Sequence, residues 1–201
     1  MSDFWSNFVL TFIPLFIVID AFGNLPFLIA TSEPLEKKAK SKLVNIAIIT
    51  ATAVGLIFLF FGQFILHVMN ISVGSFAIAG GIILVVFSIL YMTTGHMVSA
   101  VQEELMAIVP IGTPLTVGPA TITTLILLAT QYPIYTVLIA FAINMAIAWV
   151  IFKLASLFAR FLGQGGIKAV SQVFNLLLAA IGVSMILRGL DLTGIIKLIS
   201  K

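Results

Sequence analysis

The chain has 201 residues, of which 61% are hydrophobic and only 8% charged. Soluble domains carry about 25% charged residues, so this deficit, with several uncharged runs near the length of a bilayer crossing, indicates an integral membrane protein. There is no cysteine, which excludes disulfides, thiolate metal sites and cysteine nucleophiles. The formal net charge of +3 sits in residues flanking the apolar runs, where membrane topology accounts for it without nucleic acid.

Six spans account for the chain, giving one transmembrane domain over residues 1–201. The first runs from Phe4 to Ala30 and is interrupted between Asp20 and Pro26. The second covers Leu43 to Leu66 and the third Ile71 to Met92. The fourth, Leu105 to Thr130, is interrupted by Pro110, Pro114 and Pro119. The fifth starts near Tyr132-Pro133 and runs past Trp149 towards Arg160, and the sixth covers Ala169 to Leu187. The start, Met1-Ser2-Asp3, lacks the basic region of a cleavable signal, so the first span is expected to be retained.

Lysine and arginine set the orientation. Lys37, Lys38, Lys40 and Lys42 lie between spans one and two, and Lys153, Arg160 and Lys168 lie about the fifth and sixth. Arg188, Lys197 and Lys201 fall on the other side. The Lys37–Lys42 loop is therefore expected in the cytoplasm and both termini outside. Glu103 and Glu104 lie in a loop on the cytoplasmic side and weigh little in such a count.

The two interrupted spans align with each other: Asp20 falls on Thr113 and Pro26 on Pro119. Ala79-Gly80-Gly81-Ile82 in the third span has a counterpart in Ala180-Ile181-Gly182-Val183 of the sixth. The repeating unit is then three helices, residues 1–92 and 105–201 joined by a linker at 93–104. An odd unit must re-enter from the opposite face, so the expected fold is all-α, two inverted three-helix repeats with spans 1 and 4 discontinuous. Small residues four apart (Ser75 and Ala79, Ala77 and Gly81, Ala180 and Ser184) offer faces for close helix packing.

The interruptions carry the chemistry. Unwound backbone at membrane depth persists only where protein, water or a ligand takes its hydrogen bonds. Pro26 and Pro119 are expected to lead half-helices, with Gly118 as an N-cap. Gly23 and Gly118 are expected to supply conformations closed to other residues. Helix N-termini suit a carboxylate and the preceding carbonyl ends suit an ammonium group or a cation, so the pair matches a zwitterion. Pro14 and Pro110 alone read as kinks.

Asp20 is the sole acid within a span. An acid there costs about 2.5–3.5 kcal/mol even on a lenient scale, and function is its default reading. It either takes up a proton, pairs with a substrate ammonium or sodium ion, or caps the unwound segment locally. Asn24, Thr113 and Thr116 are expected to line the site; Thr121, Thr123 and Thr124 could equally bond to their own helix. Asn45, Gln63, Asn144 and Asn175 read as interhelical hydrogen bonds, and Lys153 and Arg188 as residues reaching the interface. His67 and His96 have no metal-ligand spacing, and no P-loop or HExxH motif is present.

With Asp20-Ala21-Phe22-Gly23-Asn24-Leu25-Pro26, Ala79-Gly80-Gly81-Ile82 and Thr113-Pro114-Leu115-Thr116-Val117-Gly118-Pro119 in view, the chain resembles the MarC family, which includes the SnatA-type small neutral amino acid transporters. The family usually reads Asp-Pro-x-Gly-Asn-x-Pro, and Ala21 replaces the first proline here. The resemblance implies secondary transport of glycine, alanine or serine, coupled to protons, in a prokaryotic plasma membrane. The expected substrate-binding residues are Asp20, Gly23, Asn24, Pro26, Thr113, Thr116, Gly118 and Pro119, with Asp20 also the coupling residue for a proton or sodium ion. No cofactor, metal, nucleic acid or enzymatic activity is expected; a homo-oligomer is compatible. The alternatives are a passive small-solute channel, an exporter of drugs or metabolites, or a membrane scaffold.

Overall fold

The computed structural model describes residues 2–32, 35–94 and 117–196. Among the described residues the chain is all helix: α1 (Ser2–Ile19), α2 (Leu25–Ser32), α3 (Lys37–Val68), α4 (Val73–Thr94), α5 (Pro119–Gln131), α6 (Ile134–Lys153) and α7 (Ala155–Leu192). Four are long and apolar enough to cross a membrane (α3, α6, Val73–Leu90 of α4 and Gly165–Leu192 of α7), and Asp3–Ile19 and Ala120–Gln131 are shorter apolar helices. Pro110, Thr113, Pro114 and Thr116, with Glu103, Glu104 and His96, lie outside the described residues. Only the second half of the fourth expected span is therefore seen, as α5.

Two boundaries differ from expectation. The fifth span stops at Lys153 instead of continuing towards Arg160, and α7 begins at Ala155 rather than near Ala169. The chain there is uninterrupted by proline and rich in apolar residues, so hydropathy cannot locate the corner at Leu154. A second bend falls at Gly163, whose backbone (φ 65, ψ 176) leaves the helical region; glycine is the residue that tolerates it.

Side-chain contacts fix the helix directions. Phe4 stacks on Tyr135 with ring centroids 6.4 Å apart, and the Asn144 amide donates to the Phe12 carbonyl at 3.2 Å, so α1 and α6 run parallel. Trp149 Nε1 donates to Asn45 Oδ1 at 3.0 Å, and Lys153 Nζ donates to the Ser41 carbonyl at 3.2 Å and to its hydroxyl, so α6 ends beside the start of α3. Lys153 thus sits over Trp149 at that end, with Lys37–Lys42. Arg188 donates to Gln131 Oε1 at 2.9 Å, tying α7 to the end of α5.

Among the described residues, α4 and α7 pack backbone to backbone. A Cβ on Gly81 would come within 2.5 Å of the Gly182 carbonyl, and one on Gly182 within 2.8 Å of the Gly81 carbonyl. Gly74 and Gly189 face each other in the same reciprocal way. The pairing of early residues with late ones makes the helices antiparallel, with backbones touching where side chains would hold them apart. Ala77 and Gly81 lie on this buried face as expected, but Ser75, Ala79, Ala180 and Ser184 are exposed, and α7 uses Gly182 and Gly189 instead.

These directions place residue 2, Gln131, Gly74 and Leu192 at one end of the bundle, and Ser41 with Lys153 at the other. The main buried cluster includes Leu15, Ile19, Ala21 and Leu25 around the first interruption, Val117 and Leu125 from the start of α5, and Phe141 and Met145 of α6. Gly55 of α3 makes room for the Phe141 ring.

Candidate functional site

The interruption between α1 and α2 is a compact turn whose polar atoms bond mostly to one another. Asp20 has φ 47, the left-handed region that few non-glycine residues adopt and that Asp and Asn tolerate best. Its N–H donates to the Phe16 carbonyl at 3.3 Å, the bond of a left-handed helix cap. Its Oδ1 accepts the Gly23 N–H at 3.0 Å. The Asn24 N–H donates to the Asp20 carbonyl at 3.1 Å. The Asn24 amide turns back and donates to the Asp20 carbonyl at 2.9 Å and the Ile19 carbonyl at 3.3 Å. Asp20 and Asn24 are each only 5% exposed.

Gly23 is present for space, not torsion. Its φ is not positive, and a Cβ there would collide with the Asp20 carboxylate. The expectation that Gly23 and Gly118 supply forbidden conformations is therefore corrected: Asp20 holds the left-handed residue itself, and Gly118 is extended (φ −84, ψ −175). Pro26 is the second residue of α2, which begins at Leu25. The α2 N-terminus is also less open than expected, because the Leu25 N–H donates to the Phe22 carbonyl at 3.2 Å.

α5 starts differently. Gly118 is its N-cap and supplies no side-chain capping bond, and Pro119 opens the helix. Its first internal bond is from the Ile122 N–H to the Gly118 carbonyl at 3.1 Å. Thr121, Thr123 and Thr124 are buried in its first two turns, and Thr124 Oγ1 points at Met185 Sδ, 3.7 Å away. At ~1.5 Å per residue, Asp20 lies roughly 24 Å along α1 from the end where Phe4 meets Tyr135. Pro119 lies roughly 20 Å in from the same end along α5. The two interruptions are thus within about two helical turns of each other in depth. α2 runs on towards the Ser41 end and α5 back towards the Gln131 end.

A family model described as MarC family integral membrane protein matches residues 5–193. The chain belongs to the MarC family. A UPF0056 inner membrane protein, YhgN, of Escherichia coli K12 is 32% identical over 181 residues, covering 88% of this chain and 92% of that one. A UPF0056 membrane protein of Methanocaldococcus jannaschii is 31% identical over 196 residues (91% and 95%). Another, of Buchnera aphidicola from Baizongia pistaciae, is 28% identical over 205 residues (94% of both). No solved structure matches the chain.

In this MarC protein, Asp20, Gly23 and Asn24 are brought together in one turn, and Gly118 and Pro119 lie at the α5 start, while Thr113 and Thr116 lie outside the described residues. Asn45 and Asn144 make the interhelical bonds expected of them; Gln63 is exposed. Lys153 and Arg188 are bonded to neighbouring helices rather than simply extended to an interface. Asn175 is 3% exposed, and among the described residues its Oδ1, like that of Asn144, accepts no hydrogen bond. Ser171, one turn earlier, donates to the Phe22 carbonyl of the interruption at 3.3 Å. Ser171 and Asn175 share a face of α7, but nothing in the sequence alone ties that face to Phe22.

Proposed function

We propose that this chain is a secondary active transporter of small neutral amino acids (glycine, alanine or serine), coupled to protons, in the prokaryotic inner membrane. The observation that carries the reading is the buried polar turn at Asp20–Asn24, level with the glycine-capped, proline-led start of α5. Together these elements offer a small zwitterion both polarities. Its carboxylate sits at the N-terminus of α5, beside Gly118 and Pro119. Its ammonium faces the carbonyl end of α1, with Asp20, Gly23 and Asn24 shaping that wall. Asp20 carries the coupling proton.

Two further observations support an inverted repeat over one transmembrane domain. α1 packs on α6 as α3 packs on α5, and α4 packs on α5 as α7 packs on α1 and α2. Exchange of the three-helix halves maps each pairing onto the other. The two ends of the described chain also lie together, opposite Lys37–Lys42, as placing both termini outside requires. Alternating access then rocks one half against the other. The naming of the E. coli relative as an inner membrane protein supports the location.

Uptake of labelled glycine or alanine into proteoliposomes under an imposed proton gradient tests the reading. Saturable accumulation above the external level supports it. No uptake by folded protein removes the substrate class. A passive channel is the second reading, favoured by the local bond from Gly23 to Asp20, which gives the acid a structural role. Equilibration without accumulation selects it, and net loss from preloaded vesicles selects an exporter.

A further inference from the structure

We propose that Asn175 Oδ1, with the carbonyl end of α1, forms the pole that receives the substrate's ammonium group; this rests on the amino-acid reading above. The α7 turn around Asn175 lies directly against the last turn of α1. Ser171 Oγ bonds the Phe22 carbonyl at 3.3 Å. The Phe174 ring is 5.8 Å from Phe16 and 5.3 Å from Phe22, and Leu178 shares a buried cluster with Val18. Asn175 sits within that turn, buried, with an acceptor that no group among the described residues satisfies.

Buried polar atoms are hydrogen-bonded as a rule, and an exception asks for its partner. The surroundings specify that partner's chemistry. At the end of α1, the Phe16 carbonyl takes the Asp20 N–H and the Ile19 carbonyl takes the Asn24 amide. The Ile17 and Val18 carbonyls receive no backbone hydrogen bond from the turn among the described residues. What is left over is acceptors, at the negative end of a helix, beside the rings of Phe16, Phe22 and Phe174, whose faces attract cations. A group with several N–H donors and a positive charge fits; a carboxylate does not.

Asn175→Leu removes the acceptor at similar volume, and Asn175→Asp keeps an oxygen in its place. In proteoliposomes, Asn175→Leu is expected to raise the KM for glycine about tenfold or more, the scale of a lost hydrogen bond to a charged group, with Asn175→Asp near wild type. An unchanged KM in folded Asn175→Leu overturns the subsite and leaves the transporter reading standing. A shift in sodium dependence without a shift in glycine KM also overturns it, assigning the oxygen to an ion. Should Asn175→Leu not fold, competition on wild-type protein decides: N,N,N-trimethylglycine keeps the carboxylate but has no N–H. It is expected to compete about tenfold or more weakly than glycine, and equal competition overturns the proposal. No uptake of any amino acid by wild type removes both readings together.

Discussion

The turn at Asp20–Asn24 makes a quantitative claim about one pair of residues. A Cβ added to Gly23 would sit 2.5 Å from Asp20 Cγ and 2.6 Å from Oδ1, and closer still to Oδ2. The carboxylate cannot stay where it is, so Gly23→Ala breaks the 3.0 Å bond from the Gly23 N–H to Oδ1. A hydrogen bond to a charged acceptor is worth about 1.5–3 kcal/mol, and Gly23→Ala is expected to cost that much in stability. Asp20→Gly removes the obstacle. It loses the same bond but relieves a left-handed residue, so its own cost is expected near 1 kcal/mol. In that background Gly23→Ala meets no carboxylate, and at a non-positive φ alanine is expected to be neutral or to stabilise by up to about 1 kcal/mol. The double-mutant cycle should therefore show a coupling of about 1.5–4 kcal/mol, measured by reversible denaturant unfolding in mixed micelles. If Gly23→Ala is equally costly with and without Asp20, the collision does not involve the carboxylate and the account of the turn is wrong.

Asp20→Asn keeps an oxygen for the Gly23 N–H, and asparagine tolerates the left-handed backbone, so stability should stay within about 0.5 kcal/mol of wild type. Uptake by that variant should no longer respond to a proton gradient, and intact uptake with intact pH response would end the coupling role of Asp20. At the α4–α7 contact, Gly81→Ala must push the helices apart and should destabilise by about 1–3 kcal/mol. Gly165→Ala, with open space around it, should be neutral or gain a few tenths of a kcal/mol in the same unfolding assay. Because the chain has no cysteine, single substitutions report topology cleanly: an impermeant maleimide should label Asn70→Cys in intact cells and Lys38→Cys only after lysis. The reverse pattern would invert the orientation.

What was legible in the sequence was what depends on composition and on proline. The apolar bias dictates helices, and Pro26 and Pro119 mark interruptions within two residues of where helices begin. The side of the lysines also follows, since Lys153 meets Ser41 beside the Lys37–Lys42 segment. What escaped depends on three-dimensional neighbours. Ser75 and Ala79 have the spacing of a packing face yet are exposed, because the rotation of α4 is decided by Gly81 meeting Gly182 on a helix a hundred residues away. Gly23 reads as a torsional glycine, but the need for it comes from a carboxylate three residues back. The corner at Leu154 has no breaker, and Asn175 looks like any buried amide until its acceptor, unpartnered among the described residues, is seen to lie beside the end of α1.

That last contrast bears on where a ligand would bind. The polar atoms of the Asp20–Asn24 turn mostly bond one another: carboxylate to Gly23, amide to the Ile19 and Asp20 carbonyls, Asn24 N–H to Asp20. A turn closed in this way satisfies the backbone without help, as its depth in the bundle demands. The unspent capacity lies beside it. Among the described residues, acceptors remain at Asn175 and at the Ile17 and Val18 carbonyls of α1, and a helix start whose N-cap is a glycine opens at Pro119. The conspicuous motif therefore acts as the frame, and the binding groups are its neighbours on α7 and α5. On this view substitutions at Asn24 should unfold the turn before they alter selectivity. Substitutions at Asn175 should alter affinity while the turn stays intact, a separation that unfolding and KM measurements on the same two variants resolve.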